Sequence, residues 1–267
     1  MQRIDIHGVA LEVERIDGPA GRAPLLFLHE GLGSVSMWRQ RDRSWPHELC
    51  AATGRSGVLY SRRGYGRSDP VPDVRGEPGT RGFWSVGRHG PDYMHREALT
   101  VLPALLDALG LRQPVLVGHS DGATIALLHA ASHPVTATVV MAPHVFVEDV
   151  AIQAITAARD AFDRGLRERL ARHHADVESA FWQWNDVWLS AAFRSFDIRP
   201  ACGRIGSPLM LVQGLQDEYG TLEQLRAIEQ RVPHAVTLEL ADCGHSPHRD
   251  QPQALTRAVA DFLAALP

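Results

Sequence analysis

The segment Gly118-His119-Ser120-Asp121-Gly122 carries the clearest chemistry in the chain. A serine hydroxyl is a weak nucleophile until a neighbouring base takes its proton, so the question is what holds Ser120 and what could activate it. The apolar run Pro114-Val115-Leu116-Val117 precedes it and the helix-forming run Ala123-Thr124-Ile125-Ala126-Leu127-Leu128 follows. In that context Gly-x-Ser-x-Gly reads as a nucleophile elbow, a strand that turns at once into a helix with the serine at the tip. Glycines two residues to either side remove the side chains that would collide where strand and helix nearly touch. The helix start beneath the serine offers unpaired N–H groups to a developing negative charge.

A base and an orienting acid must come from elsewhere. In strand–turn–helix hydrolases of this kind they follow the serine in the order acid, then histidine. Asp217 sits in Gln213-Gly214-Leu215-Gln216-Asp217-Glu218-Tyr219, just after an apolar run, and His245 in Ala241-Asp242-Cys243-Gly244-His245-Ser246-Pro247-His248, just after the next. Glu218 and His248 are the competitors for the two roles. Gly244 before His245, and the place of Asp217 in its turn, favour Asp217 and His245. The fourth element is His29-Glu30-Gly31-Leu32-Gly33-Ser34. A turn there can aim the N–H of Gly31 at the point served by the N–H of Asp121, and the pair would hold the oxyanion of a tetrahedral intermediate.

These residues need a scaffold that brings strand ends together. Ile4-Asp5-Ile6 and Ala10–Glu14 alternate like an exposed antiparallel hairpin turning at His7-Gly8. Leu25–Leu28, Val58–Tyr60, Val115–Val117, Thr138–Met141, Leu209–Val212 and Val236–Leu238 are continuous apolar runs, as expected of parallel strands covered on both faces. Residues 92–110, 121–132, 221–231 and 252–266 carry helical spacing. The expectation is an α/β fold with a doubly wound, mostly parallel eight-stranded sheet and an antiparallel start. Asp69 to Pro91, rich in Gly, Pro and Arg, reads as a long surface loop. Residues 144–200 are too long for a crossover; a helical run, Ala151–His174, is followed by the aromatic cluster Phe181–Trp188. They read as a helical cap over the strand ends, inserted in a core of residues 1–143 and 201–267. Its tryptophans would glue cap to core, and some would line a pocket. His144, where the cap begins, and Trp182, Trp184 and Trp188 are the candidate pocket residues.

Composition narrows the function classes. The 267 residues allow one domain with an insertion. A net charge of −4 gives nucleic acid or an anionic membrane nothing to grip. No apolar run approaches the roughly 18 residues of a membrane span, and the start does not read as a signal peptide. All 27 basic Lys/Arg side chains are arginine, which excludes Schiff-base chemistry on lysine. Cys50, Cys202 and Cys243 are odd in number and far apart, which suits free buried thiols in a reducing cytosol. A small-molecule substrate is expected, with the oligomeric state open, a homodimer included.

With these motifs in place the chain resembles the α/β-hydrolase family over essentially its full length. The resemblance rests on Leu25–Gly33, Arg63-Gly64-Tyr65-Gly66-Arg67-Ser68, Gly118–Gly122, Gly214–Asp217 and Gly244-His245-Ser246-Pro247. It implies a Ser120–His245–Asp217 triad, a cap and no cofactor or metal. Serine at the elbow speaks against the dehalogenases and epoxide hydrolases of the family, which use a carboxylate there. Two positions depart from the common pattern: Glu30 stands where glycine is usual, and Asp121 follows the serine. Ser-Asp-Gly is similar to the valacyclovir hydrolase and biphenyl-hydrolase-like branch, where the aspartate is associated with an ammonium group of the substrate. Asp121, with Glu30, would then bind an amine. Against this, Asp121 suits the helix dipole in a first turn, and Glu30 is expected to pair with Arg62 or Arg63. The expected activity is hydrolysis of a small carboxylic ester, amino-acid ester, amide or thioester through an acyl-enzyme. Carbon–carbon bond hydrolysis and a non-catalytic ligand receptor are the alternatives on the same fold. A metal hydrolase on His245 and His248 lacks an obvious third ligand.

Overall fold

A computed structural model describes residues 1–40 and 42–267. The apolar runs become strands whose alternate residues face opposite sides. In Leu25–Leu28 (β3), Leu25 and Phe27 join one hydrophobic cluster while Leu26 and Leu28 join the other. The full set is β1 (Gln2–Ile6), β2 (Val9–Ile16), β3, β4 (Gly57–Tyr60), β5 (Val115–His119), β6 (Ala137–Met141), β7 (Leu209–Gly214) and β8 (Val236–Leu240). They form one sheet in the order β1-β2-β4-β3-β5-β6-β7-β8, with β1–β2 and β2–β4 antiparallel and all other pairs parallel.

Helices cover both faces. On one side lie α1 (Trp45–Thr53), with Trp45 and Leu49 buried, and the C-terminal helix Pro252–Leu263, with Leu255, Val259 and Leu263 buried. On the other lie a helix over 93–109 (α2), built from Tyr93–Arg96, a π-helical turn Glu97–Val101 and Leu102–Leu109, and Asp121–Ala130 (α3). A one-residue misfit such as the π turn re-aims a side chain; it occurs where Glu97 turns inward to accept from Tyr60 Oη at 2.7 Å. The stretch between β6 and β7 is helical, chiefly Asp149–Ala161 (α4) and Val177–Trp188 (α5), and the two are joined by stacked Phe162 and Phe181, 4.1 Å apart. No helix among the described residues is long and apolar enough to cross a membrane.

Four expectations need correction. Only half of the first hairpin is exposed: β1 keeps Gln2, Arg3 and Asp5 at the surface, but β2 is covered and flanked by β4, and Glu12 and Glu14 are buried on it. Glu12 remains tolerable there because Ser61 Oγ and the Arg67 N–H donate to its Oε2. The 69–91 stretch is not a plain loop but carries a small antiparallel hairpin, Gly79–Arg81 with Trp84–Val86, pinned by Trp84 Nε1 donating to the Ile6 carbonyl at 2.8 Å. Strand β8 is an edge strand with Val236 half exposed, since the sheet continues on one side only. The expected helical run 151–174 breaks at Gly165, whose φ of 101° only glycine adopts without strain.

Strands β3 to β8 all run parallel, so the residues that follow each of them reach one edge of the sheet. That edge depends on how closely α3 approaches β3. A Cβ at Gly122 would lie 2.1 Å from the Leu28 carbonyl oxygen, and one at Gly118 would lie 2.4 Å from the Gly122 oxygen. Backbone on backbone cannot yield, so Gly122→Ala is expected to lower unfolding free energy by about 1–3 kcal/mol or more. Urea denaturation measures it; an unchanged midpoint would mean that the helix does not sit against the strand.

Candidate active site

Ser120 adopts φ 53°, ψ −118°, a strained conformation that non-glycine residues rarely hold. It persists because its N–H donates to the Met141 carbonyl of β6 at 2.9 Å while its own carbonyl accepts from Ala123 and Thr124. Ser120, His245, His144, Gly31, Trp184 and Trp188 line one cavity with an empty volume of about 630 Å³, part of it open to solvent.

The imidazole of His245 is fixed from behind. Its Nδ1 lies 2.8 Å from Asp217 Oδ1, which also accepts from the Tyr219 N–H at 2.8 Å. A carboxylate acceptor at Nδ1 requires the proton there, so the neutral ring keeps an acceptor lone pair on Nε2. Burial would raise the Asp217 carboxyl, but the hydrogen bond and charge of His245 and the Tyr219 amide bring it below its usual value. The ring leans against Tyr219, with centroids 4.6 Å apart and the planes tilted by 39°. The loops that carry the pair are stitched together: Gln216 N donates to the Cys243 carbonyl and Cys243 N to Gln216 Oε1, each at 2.9 Å. Neither competitor makes this ring-to-carboxylate contact. Glu218 Oε2 accepts from the His245 backbone N–H, not its ring. His248 is buried against Trp38 and Trp45, and both its ring nitrogens lack partners among the described residues.

Gly31 and Asp121 lie in the wall beside Ser120, and among the described residues neither backbone N–H donates elsewhere. Gly31 must be glycine, since a Cβ there would lie 2.2 Å from Trp184 Nε1. The Asp121 side chain turns away from this point. Its Oδ2 accepts from Tyr93 Oη at 2.5 Å and lies 3.9 Å from Arg62, while Tyr93 Oη in turn accepts from Trp188 Nε1 at 2.9 Å. Oδ1 is buried without a partner among the described residues. Burial lifts the Asp121 carboxyl above its usual range, against the pull of Arg62, Tyr93 and Trp188.

Two expected placements do not hold. Glu30 lines the cavity but does not pair with Arg62 or Arg63 through its carboxylate. Arg62 is instead consumed by the backbone, donating to the carbonyls of His29 and Glu30 at 2.6 and 3.0 Å. The Glu30 carboxylate lies 3.5 Å from both His119 Nδ1 and Arg249. Burial would raise it, yet His119 and Arg249 hold it well below the usual carboxylate range. Trp182 does not line the cavity: it packs on Phe162 under Arg75, and its Nε1 donates to Glu178. His144 and Trp188, by contrast, meet in the cavity wall with rings 5.1 Å apart.

Sequence reasoning missed Tyr93, Arg62, Tyr219 and the structural use of His119. His119 Nε2 donates to the His245 carbonyl at 2.7 Å, tying the serine turn to the histidine loop. Its position inside the elbow pattern, and that of Tyr219 two residues after Asp217, were signals within reach. Nothing local marks Tyr93.

Comparisons with known proteins agree with this geometry at the level of family. A family model described as "Alpha/beta hydrolase family" matches residues 25–258. A putative carbamate hydrolase, RutD, of Pseudomonas savastanoi pv. phaseolicola is 24% identical, with 91% of this chain and 95% of that protein aligned. The mouse sn-1-specific diacylglycerol lipase ABHD11 is 24% identical over 98% of this chain and 88% of its own. Among solved structures, an enol-lactonase from Burkholderia xenovorans superposes with TM-score 0.72 at 19% identity, covering 98% of this chain and all of that one. A thermophilic esterase from Thermogutta terrifontis reaches TM-score 0.73 at 18% identity, covering 99% and 98%.

Four buried histidines around this edge, and His129 at the far end of α3, make the fold acid-sensitive. Burial pushes His144 down to about 3, His129 and His174 to about 4, and His29 and His248 well below the ordinary 6.5. All five are neutral when folded and gain a proton more readily when unfolded. Above pH 6.5 they therefore cost nothing, and stability falls as pH drops below 6.5 toward the folded values. The expected slope is roughly 1 kcal/mol per histidine per pH unit, several kcal/mol together. Chemical denaturation at pH 7.5 and 5.5 reads it directly; equal stabilities at the two values would show the rings are not buried neutral.

Proposed function

The chain belongs to the alpha/beta hydrolase family, and from that premise we propose that it is a serine hydrolase that cleaves a small carboxylic ester through an acyl-enzyme. The observation that carries this reading is that Ser120, strained at the strand–helix turn, shares a cavity wall with His245, whose ring is held through Nδ1 by Asp217. Ser120 Oγ attacks the carbonyl carbon while His245 Nε2 takes its proton. The carbonyl oxygen becomes an oxyanion bound by the N–H groups of Gly31 and Asp121. Collapse expels the leaving alkoxide, which receives the proton from His245. Water, deprotonated by the same ring, then attacks the acyl carbon, and the acid leaves as Ser120 regains its proton. These steps balance with water as the only co-reactant. Amides and thioesters fit the same sequence. The names of the relatives, a carbamate hydrolase, a lipase, an enol-lactonase and an esterase, support an acid derivative as substrate.

Residues 144–200 act as a cap in this reading. Ile155, Trp184 and Trp188 supply apolar surface opposite Ser120, which favours small acyl groups. Asp121 is assigned to positioning and not to amine binding. Arg62 and Tyr93 already answer its charge, which also spares the adjacent oxyanion from facing an uncompensated carboxylate.

Two outcomes are expected. A fluorophosphonate should label Ser120 alone, and Ser120→Ala or His245→Gln should lower kcat/KM by about 10³-fold or more, whereas His248→Gln keeps most of it. Labelling that persists in Ser120→Ala would sink the reading. An amino-acid ester and its des-amino analogue should run within a few-fold of each other. An amine preference above about 10-fold, or about 1.4 kcal/mol, that disappears in Asp121→Asn would reinstate ammonium recognition.

A further inference from the structure

A second cavity lies behind Tyr93, with an empty volume of about 550 Å³, part of it open to solvent. Among the described residues it shares no lining residue with the cavity at Ser120. Its charge is unbalanced. Of the three arginines that line it, Arg62 is matched by Asp121, but Arg63 and Arg96 are not, and the carboxylate in its wall, Glu97, is already bonded to Tyr60. Arg63 donates to the carbonyls of Pro70 and Ser85 and lies over the Trp84 ring; Arg96 donates to the Phe83 carbonyl. Among the described residues neither makes a salt bridge, and Asp69, whose charge Arg63 feels, is bonded to Arg3. Carbonyls orient a guanidinium without cancelling its charge, so partly buried arginines held this way remain short of an anion.

Two further polar atoms point to a missing ligand. Gln183 is 4% exposed, and its Nε2, an amide donor, has no partner among the described residues. His89 Nε2 is buried without a partner too, and burial beside Arg63 and Arg96 pushes that ring down to about 4, leaving it neutral. Phe83, Trp84, Tyr93 and Val101 supply aromatic and apolar surface, with Ser85 and Thr100 between them. Guanidinium groups beside flat rings suit a carboxylate carried on an apolar body, since the planar fork of arginine matches the acid group and the rings take the remainder.

We propose that this cavity binds a small carboxylate with an apolar body, the acid group held by Arg63, Arg96 and Gln183 Nε2 and the body lying against Phe83 and Trp84. The occupant sits beside the hydrolytic centre without entering it. Tyr93 is the partition: its ring lines this cavity while its hydroxyl holds Asp121.

Calorimetric titration of the full chain with benzoate, benzyl alcohol and inorganic phosphate tests it. Benzoate should saturate one site, bind at least about 10-fold more tightly than benzyl alcohol, and outbind phosphate. Arg96→Gln should weaken benzoate about 10-fold or more. Gln183→Glu, nearly isosteric, should do the same by placing a carboxylate where the ligand's would go. Trp184→Ala, in the other cavity, should leave it unchanged. Circular dichroism checks folding, and if Arg96→Gln fails to fold, Gln183→Glu decides alone. No saturation, equal affinity for benzyl alcohol or for phosphate, or indifference to the folded variants would each overturn the proposal. Loss of binding in Trp184→Ala alone would move benzoate to the Ser120 cavity and overturn it as well.

Discussion

Helix α3 can begin where it does only because Gly122 leaves its flank bare against the Leu28 carbonyl. That contact between two backbones fixes the spacing of β3, β5 and α3, and the rest of the site is hung on it. The chain must turn within one residue, so Ser120 is forced to φ 53°. Residues 29–33 leave β3 at the same point, which brings Gly31 beside the start of α3. A slip of one residue in either element would separate the two N–H donors from each other and both from the serine. The strain at Ser120 is held by a sheet that cannot relax it without unpairing β5 from β6.

Arg62 answers the electrostatic problem this geometry creates. A carboxylate at position 121, one residue after Ser120, would oppose any oxyanion formed there. The Arg62 guanidinium lies 3.9 Å from that carboxylate, donates to the two carbonyls that open the 29–33 loop, and stacks 4.8 Å from the Tyr65 ring. One buried cation therefore sets the loop and balances Asp121 at once. Lysine, a point charge with no planar fork, could not bond two carbonyls and stack together. Glu30 is matched separately by His119 and Arg249, so the two unusual carboxylates of the site each have their own positive partner.

What the sequence reveals of this arrangement follows from the range of the forces involved. Strand–turn–helix order is written locally, so Ser120, Asp217 and His245 can be placed at one sheet edge from apolar runs alone. The hydrophobic pattern says that a run is buried but not what lies beside it. That is why the cover over β2 and the exposed edge at Val236 had to come from the sheet. Charge partners are harder still. Glu30 and Arg249 stand 219 residues apart, and Tyr93 and Asp121 stand 28 apart. No local signal selects Arg249 over the nearer Arg62 or Arg63. The hairpin of 79–86 escaped because Gly, Pro and Arg dominate the 69–91 stretch around it, and one tryptophan bond to Ile6 does what an apolar face usually does.

The fate of the tryptophan cluster shows how a helix period sorts residues that composition lumps together. Successive residues of α5 turn by about 100°. Trp184 and Trp188, four apart, share the face over Ser120, the first against Gly31 and the second bonded to Tyr93. Trp182 points well away and packs on Phe162, bonded to Glu178. Gln183 lies between these directions and reaches the arginine-lined cavity instead. One rigid helix thus presents an apolar wall to the hydrolytic cavity and an amide to its neighbour. Different faces of α5 wall the two cavities, and Tyr93, which lines one of them, holds through its hydroxyl the Asp121 that borders the other.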